Sequence, residues 1–385
     1  MAPRRLTVLG STGSIGRNTL DVVARMPGAF EVVGLSGETN GALLAEQAAR
    51  FGATRVAVGE GTEAEFGRGV RVLRGPAALD ELASDPDADL VVNALVGASG
   101  LRPTVAALRA RKTLALANKE SLVMAGEVVT RTAADAGAAI VPIDSEHSAI
   151  FRCLRGTRAG EATGLVLTAS GGALRDVPVE RMRDASIDQV LRHPTWSMGA
   201  KVTVDSATLV NKALEVIESR WLFGVPLAGI EVVIHRESIV HSLVRLSDGS
   251  LLAHLGEPDM RVPIQYALCH PEPGPVGFGR WDPGDLGQLS FERVDARRYP
   301  CLEAVLAAAR EGGTAPAIAA AADEVAVEAF VKGAVRFGDI ERIIVETLSA
   351  VPSGPCASVD DALAADAAAR EAASEAAGAA RARAA

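Results

Sequence analysis

The residues with the clearest chemical potential are two carboxylates one residue apart. In Asp144-Ser145-Glu146-His147 both acids can ligate one hard cation if the chain is extended or turning there. The same four residues also read as a helix start, with Asp144 or Ser145 as the cap and Glu146 in the first turn. A third carboxylate lies further on. In a helix predicted over 206–223, Asn211 and Glu215 are four apart and Lys212 and Glu215 three apart, so the three share a face. Leu209, Ala213, Val216 and Ile217 occupy the other side, which lets the helix pack while Asn, Lys and Glu project together. A lone Lys–Glu pair at this spacing is ordinarily a solvated ion pair. Asp144, Glu146 and Glu215 converging would instead make an oxygen-only site suited to Mg²⁺ or Mn²⁺.

Phosphate recognition needs donors, and several lie along the same stretch of chain. Ser170-Gly171-Gly172 offers a hydroxyl and approachable backbone, while Ser206, Asn211 and Lys212 offer a hydroxyl, an amide and a point charge. Residues 192–199, RHPTWSMG, lack regular periodicity. An exposed Trp and Met flanked by Gly read as a mobile lid over a ligand, or Trp196 fills a local core. Asn118-Lys119-Glu120 could contact both a nicotinamide and a substrate, or simply begin a helix. His235, His241 and His254 alternate with apolar residues and read as structural.

The elements that must position these groups start with an alternating series. Predicted strands at 6–10, 30–35, 55–58, 89–93, 113–117 and 139–142 are separated by helical patterns at 18–26, 41–50, 101–110 and 125–136. Apolar strands alternating with helices predict an α/β fold with a doubly wound parallel sheet, Rossmann-like. Between the first strand and the first helix stands Gly10-Ser11-Thr12-Gly13-Ser14-Ile15-Gly16. Glycines there let the backbone turn tightly and approach a pyrophosphate, whose charge meets the N–H groups at the helix N-terminus. The spacing is G-x-x-G-x-x-G, and such a turn can also be purely structural. The loop at 36–40 should meet the adenosine ribose. Glu38 there would favour a free 2′-OH, and so NADH. Thr39 and Asn40 could instead donate to a 2′-phosphate while Glu38 faces solvent.

After residue 143 the pattern changes to an α+β domain with a strand at 165–168 and alternation at 239–246 and 251–255 around the hairpin signal Asp248-Gly249. A Pro/Gly-rich stretch from 271 to 287 reads as a linker, and the chain beyond Tyr299 as helices. The expected division is a dinucleotide-binding domain at 1–143, a catalytic domain at 144–270, a linker at 271–296 and a helical domain at 297–385. The last twenty or so residues are almost all Ala, Arg, Asp and Glu, giving a solvated helix or a frayed end.

Composition narrows the function classes. The chain has 385 residues, 48% hydrophobic and 23% charged, which is more than one hydrophobic core usually organises. A net charge of −9 argues against nucleic-acid or anionic-membrane partners. No apolar run approaches a membrane span, and residues 1–5 lead straight into a strand pattern without a signal segment. The four cysteines, Cys153, Cys269, Cys301 and Cys356, form no C-x-x-C pair and suit reduced thiols in a cytoplasmic protein.

Taken together, the motifs resemble one family. GSTGSIG at 10–16, ANKES at 117–121, IDSEH at 143–147, SGG at 170–172, HPTWSMG at 193–199 and VDSATLVNKALEVIE at 204–218 follow the order found in 1-deoxy-D-xylulose 5-phosphate reductoisomerases. The resemblance runs from about Arg4 to at least Leu348. It implies an NADPH-binding Rossmann-like domain, an α+β catalytic domain that also forms a homodimer, and a C-terminal helical bundle. Asp144, Glu146 and Glu215 would be ligands of Mg²⁺ or Mn²⁺, with Co²⁺ an alternative. The phosphorylated ketose would meet Lys119, Ser145, Glu146, Ser170, His193, Ser206, Asn211, Lys212 and Glu215, with Lys119, Glu146, His193 and Glu215 nearest the chemistry. NADPH would meet Thr12, Gly13, Ser14, Ile15, Gly37, Thr39, Asn40, Asn118, Glu120 and Gly199. Trp196 and Met198 would belong to a closing flap. Two positions depart from the pattern: Glu38 replaces a small or basic residue, and Thr195 a common Asn.

Two other function classes make different demands. A semialdehyde- or homoserine-type NAD(P) dehydrogenase would transfer hydride without skeletal rearrangement and use a catalytic Cys or Lys rather than three carboxylates. A nucleotide sensor that kept the fold and lost the chemistry would lack at least one of those carboxylates, and all three are present.

Overall fold

The computed structural model describes residues 2–196, 198–278 and 282–384. Its contacts divide the chain into two compact units, each assembled from discontinuous segments.

The first unit comprises Met1–Ser121, Val129–Ser148 and Asp259–Arg280. Its strands are β1 (Arg4–Leu9), β2 (Phe30–Gly37), β3 (Arg55–Val58), β4 (Arg71–Leu73), β5 (Leu90–Asn93), β6 (Thr113–Leu116) and β7 (Ile140–Pro142). They form one sheet in the order β4-β3-β2-β1-β5-β6-β7, parallel at every pairing. This is the doubly wound arrangement that the alternating pattern predicts. The order reverses between β1 and β5, where Leu6 to Leu9 pair with Leu90 to Asn93. The crevice of such a sheet opens there, beyond the carboxyl ends of the strands. Helices α1 (Ser14–Ala24), α2 (Gly41–Phe51), α3 (Ala78–Ala83) and α4 (Leu101–Arg109) cross between the strands, and α5 (Glu120–Ala136) follows β6. Strand interiors such as Leu6, Val8, Leu90, Val91 and Leu114 are fully buried, as a sheet covered on both faces requires. The sequence pattern missed β4 because it is short, at the edge and exposed at Arg71 and Val72.

The second unit comprises Leu122–Val128, Ala149–Pro258 and Trp281–Ala385. Helix α6 (Ser145–Leu154) is followed by β8 (Ala162–Ala169), the short α7 (Val179–Met182) and α8 (Ile187–Val190), then α9 (Ala200–Thr208) and α10 (Val210–Phe223). Strands β9 (Ile230–Ile234), β10 (Val240–Leu246), β11 (Leu251–Leu255) and the short β12 (Glu292–Arg293) complete a mixed sheet, β11-β10-β8-β9-β12, in which β8 and β9 are parallel and the other pairs antiparallel. The hairpin forms at Asp248-Gly249, with Gly249 at φ 87°. Helix α11 (Arg261–Cys269) belongs to the first unit. There Arg261 ion-pairs with Asp21 of α1 at 3.2 Å, and Arg4 donates to the carbonyl of Leu268 at 2.9 Å. The stretch read as linker contains β12 (Glu292–Arg293), paired with β9.

The single helix predicted over 206–223 is two helices. Leu209 stands between α9 and α10 at φ 58°, a left-handed conformation unusual for a branched side chain. Periodicity could not show this, because Leu209 is buried on either reading and the apolar register continues through the break. Helices α12 (Pro300–Glu311), α13 (Ala315–Val331), α14 (Asp339–Ala350) and α15 (Val359–Ala384) form the expected bundle. They share one apolar core with α9 and α10, from Val204 and Ile217 through Val305 and Ile340 to Ala380. The alanine-rich tail is therefore an ordered helix. Ala369, Ala373 and Ala380 are buried within α15, with Ala369 packed beside Ile318 and Ala321 of α13. Alanine combines high helix propensity with a side chain small enough for close helix packing.

Candidate active site

In the first unit the glycine turn lies at the reversal of strand order. Gly10 has φ 77°, and a Cβ there would sit 2.6 Å from the carbonyl oxygen of Ala94 after β5. A Cβ on Gly16 would sit 2.3 Å from the Gly10 carbonyl oxygen. Gly13, the N-cap of α1, has no such crowding, its nearest neighbour being 3.4 Å away. The first and last glycines are thus structural necessities, and the middle one leaves open space at the helix N-terminus, where a pyrophosphate is favoured. Ser11 holds the turn from beneath: its hydroxyl donates to Gln47 at 2.7 Å, and Gln47 Nε2 donates back to the Ser11 carbonyl at 3.0 Å. Thr12 packs on Gly37, where a Cβ would approach its methyl to 2.9 Å. Glu38, Thr39 and Asn40 are exposed, and Asn40 Oδ1 caps α2 through the Leu43 N–H at 3.0 Å. Ser36, at the start of the loop expected to meet the ribose, accepts the Gly10 N–H on its hydroxyl at 2.8 Å, whereas Gln47 supports the turn without any periodic or spacing signal that would have revealed it.

Asn118 is buried, with a fully engaged side chain. Its amide donates to the carbonyls of Leu95 and Gly97 and to Glu120 Oε2 at 3.1, 3.0 and 2.9 Å, and its Oδ1 accepts from the Ser121 N–H at 3.1 Å. It fixes the loop after β5 against the start of α5. Lys119 Nζ meets Asp144 Oδ2 at 2.5 Å, both side chains being largely buried. The Asp144 carbonyl accepts from the Ser148 N–H at 2.8 Å, which places Asp144 at the start of α6. The helix-start reading of this motif therefore holds for the backbone, and the Asp144 carboxylate pairs with the Lys119 ammonium. Ser145 Oγ donates to Glu146 Oε2 at 2.5 Å.

In the second unit, Ser170, Gly171 and Gly172 follow β8 and turn through φ 82° and 69° at the two glycines. A Cβ on Gly172 would lie 2.5 Å from the Ser206 carbonyl oxygen, so only glycine lets this loop reach α9. Ser170 Oγ lies 2.8 Å from His193 Nε2 and 3.5 Å from Ser206 Oγ. His193 Nδ1 accepts the N–H groups of Thr195 and Trp196 at 3.1 and 2.8 Å, so the proton of the neutral ring sits on Nε2 and points at Ser170. Burial first, and the charge of Arg175 second, push its pKa down to about 4. Ser170, His193 and Ser206 thus come together as neutral donors, an arrangement suited to an anion that supplies its own charge.

Helix α10 carries the other expected groups. Glu215 is almost completely buried; its Oε1 accepts from Asn211 Nδ2 and its Oε2 from Lys212 Nζ, each at 2.5 Å. A carboxylate held this far from water needs cationic compensation, and one lysine supplies part of it. Residues 192–196, 198 and 199 have no regular secondary structure between α8 and α9. Trp196 is half-buried, its ring centroid 6.4 Å from that of His241, and Gly199 is the N-cap of α9; Ser197 lies outside the described residues. His235 is structural: its Nε2 accepts the N–H of Val240 at 3.0 Å and its Nδ1 donates to the Ser290 carbonyl at 2.8 Å.

Sequence reading passed over two side chains that touch the Ser170 loop. Arg175 Nη1 donates to the carbonyl of Ser170 at 2.9 Å, and Tyr299 Oη donates to that of Gly171 at 2.9 Å. Tyr299 lies far along the chain at the start of α12, so no local pattern could have joined it to this loop.

Comparison with known proteins gives a consistent result along the chain. Family models match residues 6–126 (1-deoxy-D-xylulose 5-phosphate reductoisomerase), 140–223 (its C-terminal domain) and 255–372 (DXP reductoisomerase C-terminal domain). The 1-deoxy-D-xylulose 5-phosphate reductoisomerase of Ralstonia nicotianae is 48% identical over 377 residues, covering 95% of this chain and 96% of that one. The Synechococcus sp. protein of the same name is 49% identical over 350 residues, 88% of each. Among solved structures, the reductoisomerase of Zymomonas mobilis in complex with NADPH has a TM-score of 0.88 at 37% identity, covering 97% of this chain and 98% of that one. A DOX-P reductoisomerase in complex with NADPH, fosmidomycin and magnesium has a TM-score of 0.89 at 37% identity, with the same coverage.

Proposed function

The chain belongs to the 1-deoxy-D-xylulose 5-phosphate reductoisomerase family, and from that premise we infer how its residues divide the work of the reaction. The protein is an NADPH-dependent oxidoreductase and isomerase that converts 1-deoxy-D-xylulose 5-phosphate to 2-C-methyl-D-erythritol 4-phosphate, a step of isoprenoid precursor biosynthesis. The structural observation that carries the division of roles is the neutral donor set of Ser170 and His193, 2.8 Å apart, beside Ser206.

The carboxylates fit a divalent metal by donor chemistry: all are hard oxygens, and none of the three is a soft or redox-active ligand. Asp144, Glu146 and Glu215 would hold Mg²⁺ or Mn²⁺, which would supply Lewis acidity at the ketose carbonyl and its neighbouring hydroxyl, and bound NADPH would supply hydride. Lys119 orients Asp144 through their ion pair and would act close to the reacting oxygens. Asn211 and Lys212 orient Glu215. The phosphate is held by Ser170, His193, Ser206, Asn211 and Lys212, and Ser145 contacts the ketose hydroxyls. Rearrangement of the carbon skeleton yields a branched aldehyde phosphate, and reduction consumes one hydride and one proton. Trp196 and Met198 close over the substrate and exclude water, driven by binding energy from the remote phosphate. The pyrophosphate of NADPH rests on Thr12, Gly13, Ser14 and Ile15. Gly37, Thr39 and Asn40 line the adenosine end, with Glu38 turned to solvent, and Asn118, Glu120 and Gly199 frame the nicotinamide end.

A semialdehyde- or homoserine-type dehydrogenase is not favoured. A catalytic thiol would need a lowered pKa, whereas burial raises that of Cys153, Cys269, Cys301 and Cys356. No helix among the described residues is long and apolar enough to cross a membrane. A homodimer in the cytoplasm is the setting we propose.

The test follows nicotinamide absorbance with 1-deoxy-D-xylulose 5-phosphate and Mn²⁺, comparing NADPH, NADH and a chelator. Chelator-sensitive oxidation that requires the phosphorylated ketose and prefers NADPH is the expected result. A preference for NADH would overturn the assignment of the adenosine loop, and oxidation indifferent to chelator that of the three carboxylates.

A further inference from the structure

We infer that Arg175 and Tyr299 are positioning residues for phosphate binding: by holding the carbonyls of Ser170 and Gly171 they fix the direction in which this loop presents its hydroxyl and amides. The inference rests on the assignment of Ser170-Gly171-Gly172 to the substrate's phosphate.

Gly171 and Gly172 both take positive φ, 82° and 69°, and glycine is the residue with the most conformational freedom to lose. Two such residues in succession need external restraint to hold one shape. Arg175 Nη1 donates to the Ser170 carbonyl at 2.9 Å and also to the Arg236 carbonyl, just after β9, at 3.1 Å, so one guanidinium ties the loop to the sheet. Tyr299 Oη donates to the Gly171 carbonyl at 2.9 Å. Both side chains press on Gly171 itself, where a Cβ would lie 3.0 Å from Arg175 Cβ and 3.3 Å from Tyr299 Oη.

The loop's peptide bonds are trans, so each N–H points opposite to the preceding carbonyl. Pinning the Ser170 carbonyl therefore aims the Gly171 N–H, and pinning the Gly171 carbonyl aims the Gly172 N–H. The latter reaches Ser170 Oγ at 3.1 Å, the same oxygen that receives the His193 Nε2–H at 2.8 Å. With two donors directed at it, Ser170 Oγ is left to turn its own proton towards an acceptor, which is what a phosphate oxygen provides. Tyr299 is 3% exposed, and burial pushes its hydroxyl up to about 12, so it remains a donor at any working pH. Arg175 also adds a fixed positive charge close enough to His193 to lower its pKa. Neither residue needs to touch substrate to act.

The variants Tyr299→Phe, Arg175→Met and Arg175→Lys test this, with Ser170→Ala as the control for the loop's assignment. NADPH oxidation gives KM for the phosphorylated ketose and kcat; competitive inhibition by inorganic phosphate reports on the anion alone; NADPH binding reports on the rest of the protein. Tyr299→Phe and Arg175→Met should raise KM and weaken phosphate inhibition by about five- to tenfold each, the scale of one lost hydrogen bond. The change in kcat should be smaller and NADPH affinity unchanged, and Arg175→Lys should recover part of the loss. The inference is overturned if Ser170→Ala raises KM while the other variants leave KM and phosphate inhibition unmoved, or lower kcat, Tm and NADPH affinity together. If Ser170→Ala itself leaves KM unchanged, the phosphate assignment falls, and this inference with it.

Discussion

His193 faces Ser170 with Nε2 2.8 Å from the hydroxyl oxygen, and its other ring nitrogen is occupied by two backbone N–H groups. The ring is therefore held in one tautomer by the backbone that follows it rather than by a carboxylate. In the site proposed above, this single imidazole would link phosphate binding to the conformation of residues 193–196.

That imidazole sets a pH dependence. The folded-state pKa of His193 falls to about 4 from an ordinary 6.5, and burial, with Arg152 and His241, does the same to His254. As pH falls, the unfolded chain takes up these protons first, so both residues cost stability increasingly between about pH 6.5 and 4 and nothing above. Tm measured across pH 4 to 8 should decline through this window, and His193→Gln should flatten the slope. The His193 imidazole resonances should titrate with a midpoint below pH 5; a midpoint near 6.5 would refute the neutral donor.

Removing the Glu215 charge should separate metal binding from folding. Glu215→Gln keeps the shape of a buried side chain but removes the charge from the Lys212–Glu215 pair. We expect kcat to fall at least a hundredfold, beyond the ~10–100-fold typical of groups one step removed from a metal. Mn²⁺ should raise the Tm of the native protein and leave that of the variant unchanged. An unchanged Mn²⁺ response in this variant would remove Glu215 from the ligand set.

Gly172→Ala should damage stability and phosphate affinity together. The added methyl meets the Ser206 carbonyl at 2.5 Å, and φ 69° is strained for alanine. The cost should be about 1–3 kcal/mol, read as a lower Tm, with a raised KM because Ser206 is the residue displaced. The matching change at exposed Gly249, Gly249→Ala, has only the φ cost and should leave KM alone.

Glu38 offers a sharp test of cofactor choice. Its side chain is exposed beside Thr39 and Asn40, and Asn40 Oδ1 is committed to capping α2. Glu38→Ala should raise kcat/KM for NADPH by a few-fold, through loss of like-charge repulsion with a 2′-phosphate, and leave NADH turnover nearly constant. A fall with NADPH would mean that Glu38 orders the loop.

The parallel sheet, apart from its exposed edge strand β4, was legible from the chain because its strands are apolar runs buried on both faces, most of them separated by segments of helical periodicity. The glycine turn was legible for a local reason as well: three glycines between a strand and a helix permit a fold that other residues forbid. Adjacent groups, such as Asn211, Lys212 and Glu215, could be placed on one face by helix geometry alone. What tertiary structure decided involves residues whose partners are remote or whose signal is masked. Leu209 breaks a helix without disturbing the apolar register. The tail's alanines bury themselves only because α13 offers an equally small-residued surface. Gln47, Arg175 and Tyr299 act through backbone carbonyls and hydroxyls contributed by residues 36, 61 and 128 positions away. Periodicity and spacing report which face a side chain shares with its neighbours along the chain. Which distant carbonyl or hydroxyl it meets is fixed only when separate elements pack into a common core.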